Sequence, residues 1–276
     1  MNTPTRPILR WHGGKWLLAP WIIQHFPQHK VYVEPFGGAA SVLMRKPRAY
    51  AEIYADLDGE VVNLFRVARD HGAVLRNALK LTPFARDEFI GSYAPANDPI
   101  EQARRTVVRS FMGFGSNAHN RKTGFRANSN RSGTTPAGDW RNYPDCLDFL
   151  IERLRGVVIE NRDAREIMAA HDSSETLHYV DPPYVSSTRD KGHDYRFEMN
   201  DCDHIELHKF LVGLKGFVVL SGYHSDLYDG LYKGWHRVER NALADGASPR
   251  VEVLWLNDLA RDAFGSGPLF EMEKSA

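Results

Sequence analysis

VYVEPFGGAAS, at residues 31–41, is a short apolar run that stops at Pro-Phe-Gly-Gly and continues into a helix-forming segment. The run has the length and composition of a buried strand, and the glycines favour a tight turn after it. Residues 50–55 read YAEIYA, a second strand that ends at Asp56, and residues 59–71 carry apolar side chains at helical spacing. Strand, turn, helix, strand, acid and helix is the order found in nucleotide-binding α/β sheets.

The strand pattern resumes in the second half of the chain, with a different texture in between. Residues 100–111 predict a helix, and residues 113–139 are rich in Gly, Asn, Ser and Arg, which is too polar for a core. Further strands are predicted at residues 156–160, 177–180, 217–220 and 250–256, and further helices at residues 164–170 and 203–214. We therefore expect an α/β domain formed by residues 1–82 and 144–276, interrupted by a mostly helical and loop insertion at residues 83–143.

Composition is that of an ordinary globular protein, since 42% of the 276 residues are apolar and 25% are charged. No stretch approaches the roughly 20 apolar residues of a membrane span, and residues 1–16 do not resemble a secretory signal. Cys146 and Cys202 form no CxxC pair, which favours neither a disulfide framework nor a zinc site. We expect a cytoplasmic monomer that does not associate with membranes.

The net charge is zero, which argues weakly against a nucleic-acid partner. The distribution weakens that objection. Residues 1–50 contain seven Lys and Arg but one acid, and residues 101–145 contain eight Lys and Arg but three acids. Two basic segments form one patch if the fold brings them together, and scattered solvated charge is the alternative.

The tetrapeptide DPPY, at residues 181–184, directly follows an apolar run. Two prolines end the strand and stiffen the chain, and open α/β sheets bind their ligands at the carboxyl ends of strands. A carboxylate, a rigid backbone carbonyl and an aromatic ring together suit a planar amine. The alternative is a strand-terminating turn with a core tyrosine.

The Gly37-Gly38 turn lies between the first strand and its helix, where glycines let a ligand approach the backbone closely. It is not a GxGxxG sequence, so a dinucleotide fingerprint is not supported. Asp56 follows about 20 residues later, a position at which an acid commonly binds ribose hydroxyls. Its alternative role is to cap the following helix.

Several motifs together resemble one family. The chain resembles the Dam-like (alpha-class, D12) DNA adenine-N6 methyltransferases, particularly their phage and prophage branch, from Trp11 to about Asn257. That family's turn is usually written FxGxG or FxGxA, and here Ala40 occupies the final position. The resemblance rests on WHGGK (11–15), EPFGGA (34–39), DPPY (181–184), LSGY (220–223) and EVLW (252–255).

The resemblance implies a Rossmann-like S-adenosylmethionine-dependent methyltransferase sheet with helices on both faces, and S-adenosylmethionine as the methyl donor. Phe36 and Gly37 would pack against the methionine part and Asp56 would bind the ribose. Lys15 would pair with a carboxylate, either the cofactor's own or another, unless it is a solvated surface lysine. The implied cofactor residues are Trp11, Lys15, Phe36, Gly37, Asp56, Asp163 and Asp181, where Asp163 lies near the adenine or caps the next helix.

The resemblance also implies the chemistry at the tetrapeptide. Asp181 and the carbonyl of Pro182 would accept hydrogen bonds from the N6 amine of an adenine flipped out of duplex DNA, and Tyr184 would stack on the base. Transfer would be a direct displacement at the activated methyl, with no metal. His204 and His208 stand four residues apart, as in a zinc-protease motif, but Glu206 follows the first histidine by two residues instead of one, so a surface helix is predicted.

The insertion corresponds to the family's target-recognition region. Arginines serve both phosphates and guanine edges, so the basic residues of the Gly/Asn/Ser-rich part are the candidates for DNA contact. A flexible polar loop is the alternative. The candidates are Arg121, Lys122, Arg126 and Arg131.

Two other functions compete with this interpretation. One is an amino-group methyltransferase acting on RNA, protein glutamine or cytosine N4, and the other is a DNA-binding scaffold without activity. Asp181 at the first position of the tetrapeptide, together with the Trp-x-Gly-Gly-Lys start, favours DNA adenine over the first. The intact tetrapeptide and glycine turn argue against the second.

If the basic residues of the insertion contact DNA phosphates, binding will weaken steeply with salt. We expect the logarithm of the association constant to fall with the logarithm of salt concentration, with a slope of about −0.9 for each phosphate neutralised. Fluorescence anisotropy of a labelled duplex across a salt series measures this slope. A flat response would count against DNA as the partner.

Overall fold

The centre of the molecule is a seven-stranded sheet. The computed structural model describes residues 4–118, 121–128, 133–189, 195–243 and 249–265. The strands are β1 (Val31–Glu34), β2 (Ala51–Ala55), β3 (Val157–Glu160), β4 (Thr176–Val180), β5 (Phe217–Tyr223), β6 (His236–Leu243) and β7 (Pro249–Leu256). They lie in the order β3-β2-β1-β4-β5-β7-β6. The pairs among β1 to β5 are all parallel, and β7 is antiparallel to both β5 and β6.

The strand order changes direction beside β1, which pairs with β2 on one side and β4 on the other. Crossovers to opposite sides leave a crevice at the carboxyl ends of these strands, which is the usual ligand site of open α/β sheets. The turn after β1 and the tetrapeptide after β4 both end there. The topology thus brings together two motifs that are far apart in the sequence.

In the described parts of the chain, twelve helices accompany the sheet. They are α1 (Ala19–Ile23), α2 (Ser41–Arg45), α3 (Gly59–Asp70), α4 (Gly72–Leu81), α5 (Arg86–Gly91), α6 (Pro99–Met112), α7 (Pro136–Asn142), α8 (Leu147–Leu154), α9 (Ala164–His171), α10 (Asp201–Val212), α11 (Asp226–Leu231) and α12 (Asp258–Gly265), with 3₁₀ turns at Pro144–Cys146 and Ser186–Thr188. Among the described residues, none of these helices combines the length and apolarity needed to cross a bilayer.

Helices cover both faces of the sheet, which explains why β1 and β4 are mostly apolar. Successive side chains point to opposite faces. Tyr32 and Tyr54 belong to a core shared with α3, α4, α6 and α8, whereas Val33 and Ile53 belong to a second core shared with α9, α10 and α11. The expected Rossmann-like α/β fold is therefore confirmed.

The insertion predicted at residues 83–143 contains α5, α6 and α7. α6 packs along α3 of the α/β part, and Phe111 belongs to the same core as that helix. The indole of Trp140 donates a 2.8 Å hydrogen bond to the carbonyl of Thr82. These helices therefore share a core with the sheet, and the division of the chain into two domains stays a prediction.

Several residues of the two basic segments are buried or paired within the protein. Lys46 is buried and lies 2.7 Å from Glu52 at the start of β2, whereas Lys15 is buried at the opposite edge of the sheet, beside the tetrapeptide. In the insertion, the guanidinium of Arg104 lies 2.6 Å from Glu101. These three basic residues are thus paired with carboxylates of the protein itself.

Glu52 lies in a buried charged cluster at the amino end of β2. Its carboxylate accepts two hydrogen bonds from Arg153, of 2.6 and 2.9 Å, and one of 2.7 Å from Lys46. We expect Glu52→Ala to lower the free energy of unfolding by about 3–5 kcal/mol, because two buried cations lose their partner. Urea denaturation measures the change.

Glu175→Ala is the matched control, since Glu175 forms an exposed 2.6 Å pair with Lys30. An exposed pair contributes about 0–1 kcal/mol. Equal losses from the two substitutions would show that the buried cluster has no special role in stability.

Candidate functional site

A cavity opens at the carboxyl ends of β1, β2 and β4, and we call it the central cavity. Residues from the N-terminal segment, the glycine turn, the end of β2, the start of α9 and the tetrapeptide line it. All seven residues expected at the cofactor site line this cavity: Trp11, Lys15, Phe36, Gly37, Asp56, Asp163 and Asp181. Their individual roles stay predictions, but the structure brings them together.

The floor of the central cavity is the glycine turn. A side chain at Gly37 would place its Cβ 2.0 Å from the ring of Tyr54, so no other residue fits without moving that ring. Gly38 has φ +47, and its Cβ would lie 2.7 Å from Nε1 of Trp11. Ala40 adopts φ 51, a left-handed conformation that is uncommon for a residue other than glycine. The turn therefore depends on small residues for both space and conformation.

Asp56 is held by two backbone amides at the end of β2. Gly38 N donates to its Oδ2 at 2.8 Å, and Asp58 N donates to its Oδ1 at 2.7 Å. Burial raises the pKa of Asp56 to about 6. Asp56 does not cap α3, because Asp58 occupies that position and accepts a bond from Glu60 N.

Asp163 does cap a helix, as the alternative interpretation expected. Its Oδ1 accepts a 2.8 Å hydrogen bond from the backbone of Arg165 at the start of α9. Because Asp163 also lines the central cavity, the cap fixes an acid at the cavity wall. Capping and a ligand contact are thus compatible at this residue.

Asp181 follows β4 and meets two donors. Ser221 Oγ donates to Asp181 Oδ1 at 2.6 Å, and Lys15 Nζ lies 3.1 Å from the same oxygen. Neither contact uses Oδ2. Asp181 and Pro182 both line the cavity. The two prolines after Asp181 restrict the backbone there.

Lys15 is buried, so the interpretation as a solvated surface lysine is wrong. Its ammonium donates to the carbonyl of Gly13 at 2.8 Å and pairs with Asp181. Burial lowers the pKa of Lys15, but the carboxylates of Asp181 and Glu252 outweigh this effect and raise the pKa above its ordinary value. Lys15 is therefore charged at neutral pH, and its carboxylate partner in this structure belongs to the protein.

Tyr184 is buried and is not among the residues that line the central cavity. Its hydroxyl donates to Glu252 Oε2 at 2.8 Å, and Lys15 Nζ lies 4.5 Å from the centre of its ring. Tyr223 meets the ring edge-on, with 4.6 Å between centroids. A base can stack on Tyr184 in the predicted way only if one of these neighbours moves.

Sequence reasoning missed polar residues of the site, among them Glu34, Tyr195, Ser221 and Glu252. Glu34 and Tyr195 line the central cavity, and Ser221 and Glu252 hold residues of the tetrapeptide. The signal that could have revealed Ser221 is a polar residue inside a mostly buried strand, the FVVLSGY sequence of β5. Tyr195 has no such signal, because it approaches Gly13 only in the folded chain.

The rim of the central cavity is linked to the insertion by charge. Arg196 lies 3.0 Å from Asp58 and 3.2 Å from Glu60, at the start of α3. The other oxygen of Glu60 pairs with Arg109 of α6. One carboxylate thus joins the segment after the tetrapeptide to the helix at the base of the insertion.

The candidate DNA residues of the insertion lie in different environments. Arg121 and Lys122 are exposed, whereas Arg126 is buried, lies 3.3 Å from Asp139 and donates to the carbonyl of Phe111. DNA contact by Arg126 requires this pair to open and stays a prediction. Arg131, also predicted, lies outside the described residues.

His204 and His208 face the aromatic side chains of α11 and the turn after it. The hydroxyl of Tyr228 lies 3.0 Å from Nδ1 of His204, and the rings of His208 and Tyr232 are in edge contact. Within the described ranges, no group of three or more His, Cys, Asp or Glu side chains is arranged to hold a metal ion.

Comparison with known proteins agrees with this geometry. Residues 11–245 match the sequence model of the D12 class N6 adenine-specific DNA methyltransferases. The chain belongs to this family. The match covers the N-terminal segment, the glycine turn, the insertion and the tetrapeptide.

Individual relatives are DNA adenine methylases of bacteria. The chain is 27% identical to that of Haemophilus influenzae over 190 residues, which are 65% of this chain and 64% of the relative. It is 28% identical to that of Serratia marcescens (65% and 67% covered) and 24% identical to that of Salmonella typhi (85% of each). The matched region thus spans just under two thirds of the first relative, and the resemblance to the phage branch stays a prediction.

Glu34 gives a pH-dependent stability that can be measured. Its carboxyl accepts bonds from the hydroxyl of Tyr32 (2.6 Å) and from Leu43 N (2.9 Å), and burial raises its pKa to about 8, from an ordinary 4.5. The folded protein therefore retains a proton that the unfolded chain releases. This contribution to stability is complete below about pH 4.5 and is lost as the pH rises through about 8.

We expect Glu34→Gln, which stays neutral, to become more stable relative to wild type as the pH increases from about 5 to about 9. Urea denaturation at several pH values measures the difference in unfolding free energy. A difference that does not change with pH would show that the Glu34 carboxyl does not titrate in this range.

Proposed function

We propose that this protein transfers a methyl group from S-adenosylmethionine to the N6 amine of adenine in double-stranded DNA. Membership of the D12 family supports the substrate class. The observation that carries the proposal is the position of Asp181, an acid at the wall of a cavity lined by all seven residues expected to hold the cofactor. The cytoplasm, where DNA is accessible, is the proposed location.

The central cavity fits S-adenosylmethionine. At the Asp56 end, a carboxylate already oriented by two amides has lone pairs left for the ribose hydroxyls. At the turn, Gly37 lets the backbone come close to the methionine portion, and Phe36 and Trp11 supply apolar walls. Asp163, which also lines the cavity, is proposed to accept a bond from the adenine amine. When bound, the cofactor supplies a methyl group already activated by its sulfonium.

The contacts of Asp181 support its proposed role as the acceptor of the target amine. Lys15 and Ser221 both engage Oδ1, which leaves Oδ2 to accept one N–H of the adenine. The carbonyl of Pro182 accepts the second N–H. The adenine nitrogen is a poor nucleophile because its lone pair is delocalised into the ring. Two acceptors favour a more tetrahedral nitrogen and aim the lone pair at the methyl group, so that orientation and electrostatics supply the catalysis.

The base must leave the duplex to reach Asp181, at a cost of a few kcal/mol. Stacking on Tyr184 returns about 1–3 kcal/mol, by analogy with aromatic platforms that bind single strands. Because Lys15 lies over this ring in the structure, stacking on that face requires the ammonium to move aside.

DNA contact is proposed for the exposed part of the insertion. Arg121 and Lys122 are exposed, which suits phosphate contacts. Arg126 and Arg131 remain candidates on the grounds of sequence alone. No particular base is assigned to any of them.

The decisive experiment uses labelled S-adenosylmethionine and unmethylated duplex DNA, followed by digestion to nucleosides and mass analysis. We expect N6-methyladenine from the wild-type protein, and a fall in rate of at least about 100-fold for Asp181→Ala, because the amine loses its charged acceptor. Sequencing the methylated DNA then identifies the recognition site.

Asp145→Ala is the control, because Asp145 lies far from the cavity in a partly exposed pair with Arg76. Calorimetric titration checks that Asp181→Ala still binds cofactor, and circular dichroism checks its fold. Label found in RNA, in protein or in N4-methylcytosine would show that the substrate is not DNA adenine. Cofactor binding without methyl transfer would favour a DNA-binding scaffold without activity. A near-normal rate for a folded Asp181→Ala variant would refute the role of Asp181.

A further inference from the structure

Two neighbouring strands carry buried polar residues that hold opposite ends of the tetrapeptide. Ser221 of β5 donates to Asp181 at 2.6 Å, and Glu252 of β7 accepts from Tyr184 at 2.8 Å. Both residues are buried, with exposed fractions of 1% and 6%. β5 and β7 pair directly, with Tyr223 opposite Glu252, so the two anchors belong to one rigid part of the sheet.

Lys15 connects the two ends. Its ammonium lies 3.1 Å from Asp181 Oδ1 and 4.5 Å from the centre of the Tyr184 ring. The charge of Glu252 acts on the same ammonium. Acid, ammonium, ring and second acid therefore form one continuous group, buried except at Asp181, which we call the tetrapeptide clamp: Asp181, Lys15, Tyr184, Ser221 and Glu252.

A buried glutamate is costly unless its charge is compensated. Glu252 does not line the central cavity and lies outside the set of residues expected to touch cofactor or base. Its hydrogen bond fixes the position of a tyrosine ring, and its charge opposes that of Lys15. These two contacts give the carboxylate a function beyond packing.

The charges around Lys15 also support a role for Glu252. Within the clamp, Lys15 is the cation, and the carboxylates of Asp181 and Glu252 both act on it. Without Glu252, Asp181 would be the one carboxylate of the clamp acting on Lys15, and the ammonium would be held more tightly at Oδ1, beside the oxygen that the target amine uses. Glu252 supplies a second partner for the ammonium when the base displaces it from the ring of Tyr184.

We propose that Glu252 is a positioning residue, whose carboxylate anchors the hydroxyl of Tyr184 and shares Lys15 with Asp181, so that the ring and the acid of the tetrapeptide are set for the flipped base. This inference rests on the proposed methyltransferase activity. It extends that proposal to a residue that does not touch the substrate.

The test compares Glu252→Ala, Glu252→Gln and Tyr184→Phe in single-turnover methyl transfer to the DNA site identified by sequencing. We expect Glu252→Ala to lower the rate about 100-fold, the usual scale for misplacing a reacting group by about 1 Å. Glu252→Gln keeps an oxygen that accepts a hydrogen bond from the Tyr184 hydroxyl. We therefore expect the Glu252→Gln variant to be about tenfold faster than Glu252→Ala. Cofactor affinity will stay within about threefold of wild type in all variants.

Two further readouts separate positioning from stability. Tyr184→Phe combined with Glu252→Ala will be scarcely slower than Glu252→Ala alone, because both remove the same hydrogen bond. The fluorescence change of 2-aminopurine at the target position, which reports base flipping and stacking, will be reduced in Glu252→Ala. All assays are made at a temperature at which circular dichroism shows every variant folded.

Tyr143→Phe is the matched control for loss of a buried tyrosine hydroxyl. That hydroxyl donates to the carbonyl of Ile8 at 2.7 Å, away from the tetrapeptide. We expect Tyr143→Phe to lower the melting temperature without changing the rate of methyl transfer. A folded Glu252→Ala variant with a rate within about threefold of wild type would overturn the role of Glu252 alone. A wild-type protein that methylates no DNA would overturn the proposed function and, with it, this inference.

Discussion

The contact between Lys15 and Asp181 connects the parts of the site that the rest of the molecule supports separately. Asp181 is placed by β4 and two prolines, whereas Lys15 arrives on a segment that precedes the first strand. Burying an ammonium requires a carboxylate close by, since burial alone would lower the pKa of Lys15. The pair therefore draws the N-terminal segment across the carboxyl edge of the sheet, and Trp11 comes with it as a wall of the central cavity.

Around that pair, each wall of the central cavity has its own structural support. The glycine turn is supported by Tyr54, whose hydroxyl donates to the carbonyl of Gly38. Asp56 is oriented by backbone amides, and Asp163 by the start of α9. Because these supports are backbone groups or buried rings, the cavity shape is set before any ligand is present. Preorganisation of this kind is what an amine of low nucleophilicity requires.

Sequence patterns were sufficient for the strands that are buried on both faces, and for the turn and tetrapeptide at their ends. β1 and β4 are mostly apolar, as strands of a parallel sheet covered on both faces usually are. β6 was missed because its sequence, HRVERNAL, belongs to a largely exposed edge strand with charged residues and no apolar run. Its partner β7 was predicted because its sequence, PRVEVLWL, is mostly apolar.

Contacts between distant segments could not be predicted in the same way. The partner of Lys15, the burial of Arg126 against Asp139 and the approach of Tyr195 to Gly13 depend on how the segments pack. Local composition gives only the type of side chain. The arginines of the insertion show the consequence, since Arg121 and Arg126 are close in sequence and look equivalent, yet one is exposed and the other is buried.

The close approach of Gly37 to Tyr54 has an evolutionary consequence. A methyl group at position 37 would overlap the ring, so an alanine there is accessible only after residue 54 has become smaller. A smaller residue at position 54, however, loses the hydroxyl that holds the carbonyl of Gly38. Each single step passes through a damaged turn. The two positions therefore form a locked pair, and this floor of the cavity is expected to persist while the surrounding sequence drifts.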